Sequence, residues 1–169
     1  FGIVSRLAHQ KGFELIGEAL PGVLQRHPAR LVVLGSGEGQ YEEMFAWLQR
    51  TFPHQVAFYR GYNDGLSHLI EAGSDMFLMP SRYEPCGLNQ MYSLRYGTIP
   101  IVRNTGGLAD TVRLYEPVSG EGTGFVFDHF NADGLRWAME FALSVWPDKK
   151  AWRKLQRAGM ACDYSWEHQ

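Results

Sequence analysis

The chain has 169 residues, 45% of them hydrophobic and 20% charged, with a formal net charge of −2 and a pI near 6.3. That length and composition predict one globular domain with one full-sized core. The charge balance gives no general attraction to nucleic acid or an anionic membrane, and there is no Lys/Arg block and no apolar run long enough to span a bilayer. Any phosphate recognition must therefore be local. Cys86 and Cys162 form no CxxC pair, which fits a reducing compartment and predicts neither a disulfide nor a zinc site. Phe1 falls inside an apolar strand and Ser165 reads as the N-cap of a helix just starting, so both ends are expected to be cut and the chain to be one domain of a longer protein.

Residues 1–4 read as a short strand and residues 5–10 as a polar turn. Residues 12–25 carry Phe13, Leu15, Ile16, Ala19, Leu20, Val23 and Leu24 at helical spacing, across a Pro21-Gly22 break. Residues 31–34 form a second, wholly apolar strand, and the run Gly35-Ser36-Gly37-Glu38-Gly39 turns the chain. A helix over 41–50, a strand over 55–60, and a helix over 65–72 follow, then a strand over 75–79. A charged loop, residues 80–89, leads into a helix over 90–96. The next strand spans 98–102, a glycine turn 105–108, and a short helix 109–114. Residues 117–124 are expected to be a mobile Gly-rich excursion, residues 124–128 a sixth strand, and residues 132–145 and 149–160 two closing helices. Trp137, Phe141, Trp146 and Trp152 are assigned to the core faces of those helices.

Strands alternating with helices six times over predict an α/β fold, a Rossmann-like doubly wound parallel sheet with strand order 3-2-1-4-5-6. Its switch point then lies between strands one and four, so the loops of residues 5–12 and 81–88 face each other across one crevice. Arg6 and Lys11 in the first loop stand near a helix start, where a planar guanidinium and a mobile ammonium together could clamp a diphosphate, or where both could simply be solvated. Glu84 would be repelled by a diphosphate and suits neutral sugar hydroxyls; a plain helix-start carboxylate is the other reading. Tyr62 suits either a stacked base or a partly buried core ring. Cys86 reads as structural or ligand-lining rather than nucleophilic, because no His partner is identified. Thr105-Gly106-Gly107 permits close backbone approach at a helix start, and no NAD-type glycine fingerprint follows strand one. His9, His54, His68 and His129 share no metal-ligand spacing.

Five stretches in order carry a resemblance over nearly the whole chain: Val4-Ser5-Arg6-Leu7 with Gln10-Lys11-Gly12; Pro80-Ser81-Arg82-Tyr83-Glu84-Pro85-Cys86-Gly87-Leu88; Arg95-Tyr96-Gly97-Thr98-Ile99-Pro100; Thr105-Gly106-Gly107-Leu108-Ala109-Asp110-Thr111-Val112; and Asp163-Tyr164-Ser165-Trp166. The chain resembles the C-terminal Rossmann-type domain of bacterial glycogen synthases and plant-type starch synthases, retaining glucosyltransferases of the GT-B fold. The resemblance implies transfer of glucose from ADP-glucose to the nonreducing end of an α-1,4-glucan, with no cofactor and no metal. It places Arg6 and Lys11 on the diphosphate, Glu84 on the donor glucose, the backbone of Gly87, Leu88, Thr105 and Gly106 against sugar and phosphates, and Tyr62 on the adenine. Cys86 lines the donor site. Asn89 stands where many relatives carry Thr near the distal phosphate, and Tyr92 stands where other GT-B families carry a second Glu, which favours the glycogen and starch synthases. The glucan acceptor belongs to an N-terminal domain outside this chain, so the chain alone is expected to bind nucleotide without turnover. The implied location is the bacterial cytoplasm, or the plastid in a plant. The other readings are a GT-B transferase using a UDP-sugar and a nucleotide-sugar-binding module without catalysis.

Overall fold

A computed structural model describes residues 1–165. Its strands are β1 (Gly2–Leu7), β2 (Leu31–Gly37), β3 (Val56–Arg60), β4 (Met76–Met79), β5 (Ile99–Arg103) and β6 (Phe125–Phe127). They form one parallel sheet in the order β3-β2-β1-β4-β5-β6, as the alternation of elements predicts. From β1 the chain steps outward to β3, crosses back to β4 and steps outward again to β6. Right-handed crossovers then place α1 (Phe13–Arg26) and α2 (Gly39–Thr51) on one face, and α3 (Asp64–Gly73) and α4 (Asn89–Tyr96) on the other. The short α5 (Gly106–Thr111) follows β5, α6 (Ala132–Val145) packs on α1, and α7 (Lys149–Met160) packs on α4.

The strands β4 and β5 are apolar without alternation because helices cover both faces: Met76, Phe77 and Leu78, and Ile99, Ile101 and Val102, are all buried. The helix α1 buries the stripe read from its spacing, Phe13 through Leu24, and it runs unbroken through Pro21. A mid-helix proline costs about 3 kcal/mol. Leu20, Val23 and Leu24 beside it are buried, each contributing about 1.5–3 kcal/mol, and this outweighs the penalty.

Several boundaries differ from the sequence reading. The polar residues Ser5 and Arg6 belong to β1, and Gly35, Ser36 and Gly37 belong to β2, pairing with Ser5, Arg6 and Leu7. A Cβ on Gly35 would lie 2.3 Å from the Ser5 carbonyl oxygen, so glycine here permits close strand packing rather than a turn. Gly106 and Gly107 form the first turn of α5 rather than a loop before it. The residues 117–124 are tied down: Glu116 and Glu121 pair through a 2.8 Å backbone bond, and Lys154 Nζ donates to the Ser119 carbonyl at 2.7 Å. Of the four aromatics assigned to the core, Trp152 is buried and Phe141 packs on Phe125 with ring centroids 5.0 Å apart. Trp137 and Trp146 remain 49% and 36% exposed. Trp137 only flanks Phe141, and Trp146 carries the Lys149 ammonium over its ring. The helix start expected at Ser165 falls on residues 166–169, outside the described residues.

One acid is buried away from the sheet's carboxyl edge. Glu71 in α3 is 3% exposed, and burial pushes its carboxyl up from 4.5 to about 7. Between those values the folded chain holds a proton that the unfolded chain has lost, so stability falls as pH rises through this window. Glu71→Gln is expected to raise the melting temperature at pH 8 and leave it unchanged at pH 5, read by thermal denaturation at the two pH values.

Candidate functional site

The loop after β1 folds into a single 3₁₀ turn, His9–Lys11, closed by Gly12 at φ 72° before α1 begins. The left-handed conformation suits glycine, and space demands it as well: a Cβ on Gly12 would lie 2.1 Å from the Pro80 carbonyl oxygen. The loops after β1 and β4 thus touch backbone to backbone. They are also stitched together, with Arg82 N donating to Gln10 O at 2.9 Å and Gln10 Nε2 donating to Tyr83 O at 3.0 Å.

This contact delivers Lys11 to Glu84. Lys11 Nζ lies 2.5 Å from Glu84 Oε2, and the Ser81 hydroxyl lies 3.4 Å from the same oxygen. Glu84 is 6% exposed. Lys11 is thus the cation that faces this nearly buried carboxylate. From the other side, Gly107 N donates to the Glu84 carbonyl at 3.0 Å. A Cβ on Gly106 or Gly107 would lie 2.1 Å from the carbonyl oxygen of Glu84 or Cys86 respectively, so the start of α5 is pressed onto this loop.

A cleft of about 390 Å³ opens at the switch point between β1 and β4, lined by Arg6, Lys11, Glu84, Gly87, Leu88 and Asn89 among others. A second cleft of about 280 Å³ adjoins it and shares Val4, Ser5, Arg6 and Asn89, with Gly35, Gly61 and Tyr62 completing it. Six of the residues read from the sequence are therefore gathered in one cleft, and Tyr62 stands in its neighbour. Tyr62 is 83% exposed, which removes the core reading.

Three residues lie elsewhere. Cys86 is exposed and lines neither cleft, and neither do Thr105 and Gly106. Their loop is held from behind: Gln90, wholly buried, donates through Nε2 to Cys86 O at 3.0 Å and Gly87 O at 3.1 Å, while α5 closes on the same segment. Asn89 Nδ2 donates to the Val4 carbonyl at 2.8 Å, so that amide nitrogen is already engaged. Gln90 and Arg103 went unassigned from sequence. Their signal was faint: a buried amide one residue inside a helix, and a cation at the last position of a buried strand.

Electrostatically the cleft holds one neutralised pair, Lys11 with Glu84, and one exposed cation, Arg6, which has no ion-pair partner among the described residues. The first turn of α4 adds a positive helix end, with no side chain capping it. An anion is favoured near Arg6 and α4, and a hydroxyl-bearing neutral group near Glu84.

Residues 1–158 match the family model described as glycosyl transferases group 1. The chain belongs to this family. Its Rossmann-like sheet is one half of the GT-B glycosyltransferase fold. The chain is 53% identical over 165 residues to a glycogen synthase of Koribacter versatilis (strain Ellin345) and 54% identical over 166 residues to one of Anaeromyxobacter sp. (strain K). Each match covers 98% of this chain and 34% of the relative. The catalytic domain of starch synthase IV from Arabidopsis thaliana, solved with ADP and acarbose, superposes with a TM-score of 0.88 at 35% identity, over 99% of this chain and 35% of that one. The chain thus spans about a third of the length of these relatives. No helix among the described residues is long and apolar enough to cross a membrane.

The contact between the two loops of this glycosyltransferase domain is testable. Gly12→Ala is expected to lower stability by about 2 kcal/mol or more, since an L-residue in the left-handed region costs about 1–2 kcal/mol before the clash with Pro80 is counted. Denaturant unfolding reads the loss.

Proposed function

We propose that this domain is the donor-binding half of a glycogen- or starch-synthase-type glucosyltransferase. It holds ADP-glucose for retaining transfer of glucose to the nonreducing 4-hydroxyl of an α-1,4-glucan. The acceptor is bound by an N-terminal domain that, in this reading, makes up much of the length by which the relatives exceed this chain. The observation that carries the reading is the meeting, in one switch-point cleft, of exposed Arg6, the Lys11–Glu84 pair and the uncapped start of α4. The similarity to glycogen synthases over 98% of the chain supports it, as does a starch synthase neighbour solved with ADP and acarbose.

In this reading the diphosphate lies against Arg6 and the start of α4, with the adenine on the exposed ring of Tyr62 in the adjoining cleft. Lys11, adjacent to both groups, turns toward the phosphates as the donor enters. Glu84 then exchanges its ammonium partner for sugar hydroxyls, and its negative charge stands beside the cationic sugar that forms as the glycosidic bond to phosphate breaks. Gly87 and Leu88 present backbone N–H groups at the beginning of α4, where the departing ADP gathers charge. The donor is itself the substrate, and the reading calls for no further cofactor. Glycogen synthases of bacteria are its relatives, which supports a place in the bacterial cytoplasm.

Titration calorimetry on the chain tests this. The chain is expected to bind ADP, and to bind ADP-glucose more tightly than UDP-glucose, without elongating a glucan on its own. Lys11→Ala is expected to weaken ADP about tenfold or more, the worth of a charged hydrogen bond. Equal ADP binding by the variant removes Lys11 from the site, and a preference for UDP-glucose replaces the donor.

A further inference from the structure

We infer that Arg103, with Phe130 beneath it, is the positioning residue that sets Glu84 for the donor sugar; this rests on the donor-site reading above. The Arg103 side chain leaves the last position of β5 and runs under the loop of residues 80–88. Its Nε donates to Ser81 O at 3.0 Å, its Nη2 to Arg82 O at 2.6 Å and its Nη1 to Asp128 O at 3.3 Å. A single planar group therefore fixes the two consecutive carbonyls that lie three and two residues ahead of Glu84.

That matters because the loop has little structure of its own. Residues 80–88 form no helix or strand, and the backbone bonds that tie them to the rest of the chain include those with Gln10, Gly107 and Tyr92 and with the side chains of Gln10, Gln90 and Arg103. The bonds from Gln90 and Gly107 hold Glu84 and the segment after it. Arg103, with Gln10, holds the segment before it. A neutral donor would suffice for one carbonyl, whereas the guanidinium presents several N–H groups in a rigid fork and meets three.

The ring of Phe130 sits against this fork. The guanidinium carbons of Arg82 and Arg103 lie 4.1 Å and 5.5 Å from its centroid. Arg82 is neutralised by Glu14 at 2.6 Å, while Arg103 has no carboxylate partner among the described residues and spends its charge on carbonyl oxygens. Phe130 also touches the first loop, since a Cβ on Gly12 would lie 3.0 Å from its Cε2. The loops that present Lys11 and Glu84 thus rest on one shared floor. Lysine cannot replace Arg103, because a point charge cannot hold two carbonyls and lie flat on a ring at once.

Calorimetry on the whole chain, with ADP and ADP-glucose as separate titrants, decides it. Arg103→Lys is expected to weaken ADP-glucose about tenfold while changing ADP by less than about twofold, because Glu84 meets only the sugar. Glu84→Gln is expected to weaken ADP-glucose relative to ADP in the same direction, and the double variant to add nothing to that relative loss. Equal loss for both ligands, no loss, or full additivity overturns the positioning role. Should Arg103→Lys fail to fold by circular dichroism, Phe130→Leu decides in its place, with the same asymmetry expected and its absence fatal. Wild-type chain that binds neither ligand overturns the donor-site reading instead.

Discussion

The ion pair between Lys11 and Glu84 joins residues 73 apart in sequence at the carboxyl ends of two adjacent parallel strands. Neither charge could be held there alone. Glu84 is nearly excluded from water and Lys11 largely so, and stripping either partner from a buried pair costs about 3–5 kcal/mol because an unpaired charge remains. The pair is therefore best understood as a mutual placeholder. It neutralises the buried side of the cleft, and in the donor-site reading each member is released as a ligand supplies an equivalent partner: an anion for Lys11 and hydrogen-bonding hydroxyls for Glu84. In that reading a ligand offering one without the other leaves a buried charge less well satisfied, which favours a molecule that joins a phosphate to a sugar.

The pair depends on two places where backbones meet with no room for a side chain. Gly12 lies against Pro80, and Gly107 lies against Cys86, each with space for a hydrogen and nothing larger. The first brings Lys11 across to β4, and the second braces Glu84 from the β5 side. Their work is to shorten distances, and a backbone hydrogen bond from Gly107 to Glu84 uses the proximity so created. Gln10 and Arg103 then saturate carbonyls that such a tight, irregular loop would otherwise leave without partners.

The fold was legible because its cause is periodic. Apolar strands alternating with amphipathic helices admit few chain paths, and handedness selects among them, so the strand order could be written down before any coordinate. Boundaries were less legible where composition misleads. Gly35-Ser36-Gly37 has the composition of a turn, yet its glycines serve close strand packing, and nothing local distinguishes the two uses. The site divides the same way. Arg6, Lys11 and Glu84 could be assigned to one crevice because loops that follow neighbouring strands must meet, whereas Asn89 was named only through the family resemblance. That Lys11 would be found on Glu84 was not legible, since pairing depends on side-chain reach. Arg103 was least visible of all. Its partners are main-chain carbonyls about twenty residues away, and a carbonyl carries no residue-type signature in the sequence.

Arg6 completes the logic by contrast. It lies five residues before Lys11 and lines both clefts, yet it is exposed, and neither an ion pair nor a side-chain hydrogen bond engages it among the described residues. An exposed cation loses little by waiting in water, whereas a buried one must be compensated at all times. Under the proposed donor-site reading the two cations therefore serve different stages of one encounter. Arg6, solvated and influenced only at a distance by the Glu38 carboxylate, supplies attraction to an approaching anion before contact is made, at the cost of screening by salt. Lys11, shielded and engaged, contributes later, once the ligand has displaced water from the cleft. Under the proposed donor-site reading, affinity for the diphosphate is then shared by Arg6, the helix end and Lys11, and discrimination for a donor carrying a sugar falls to Glu84.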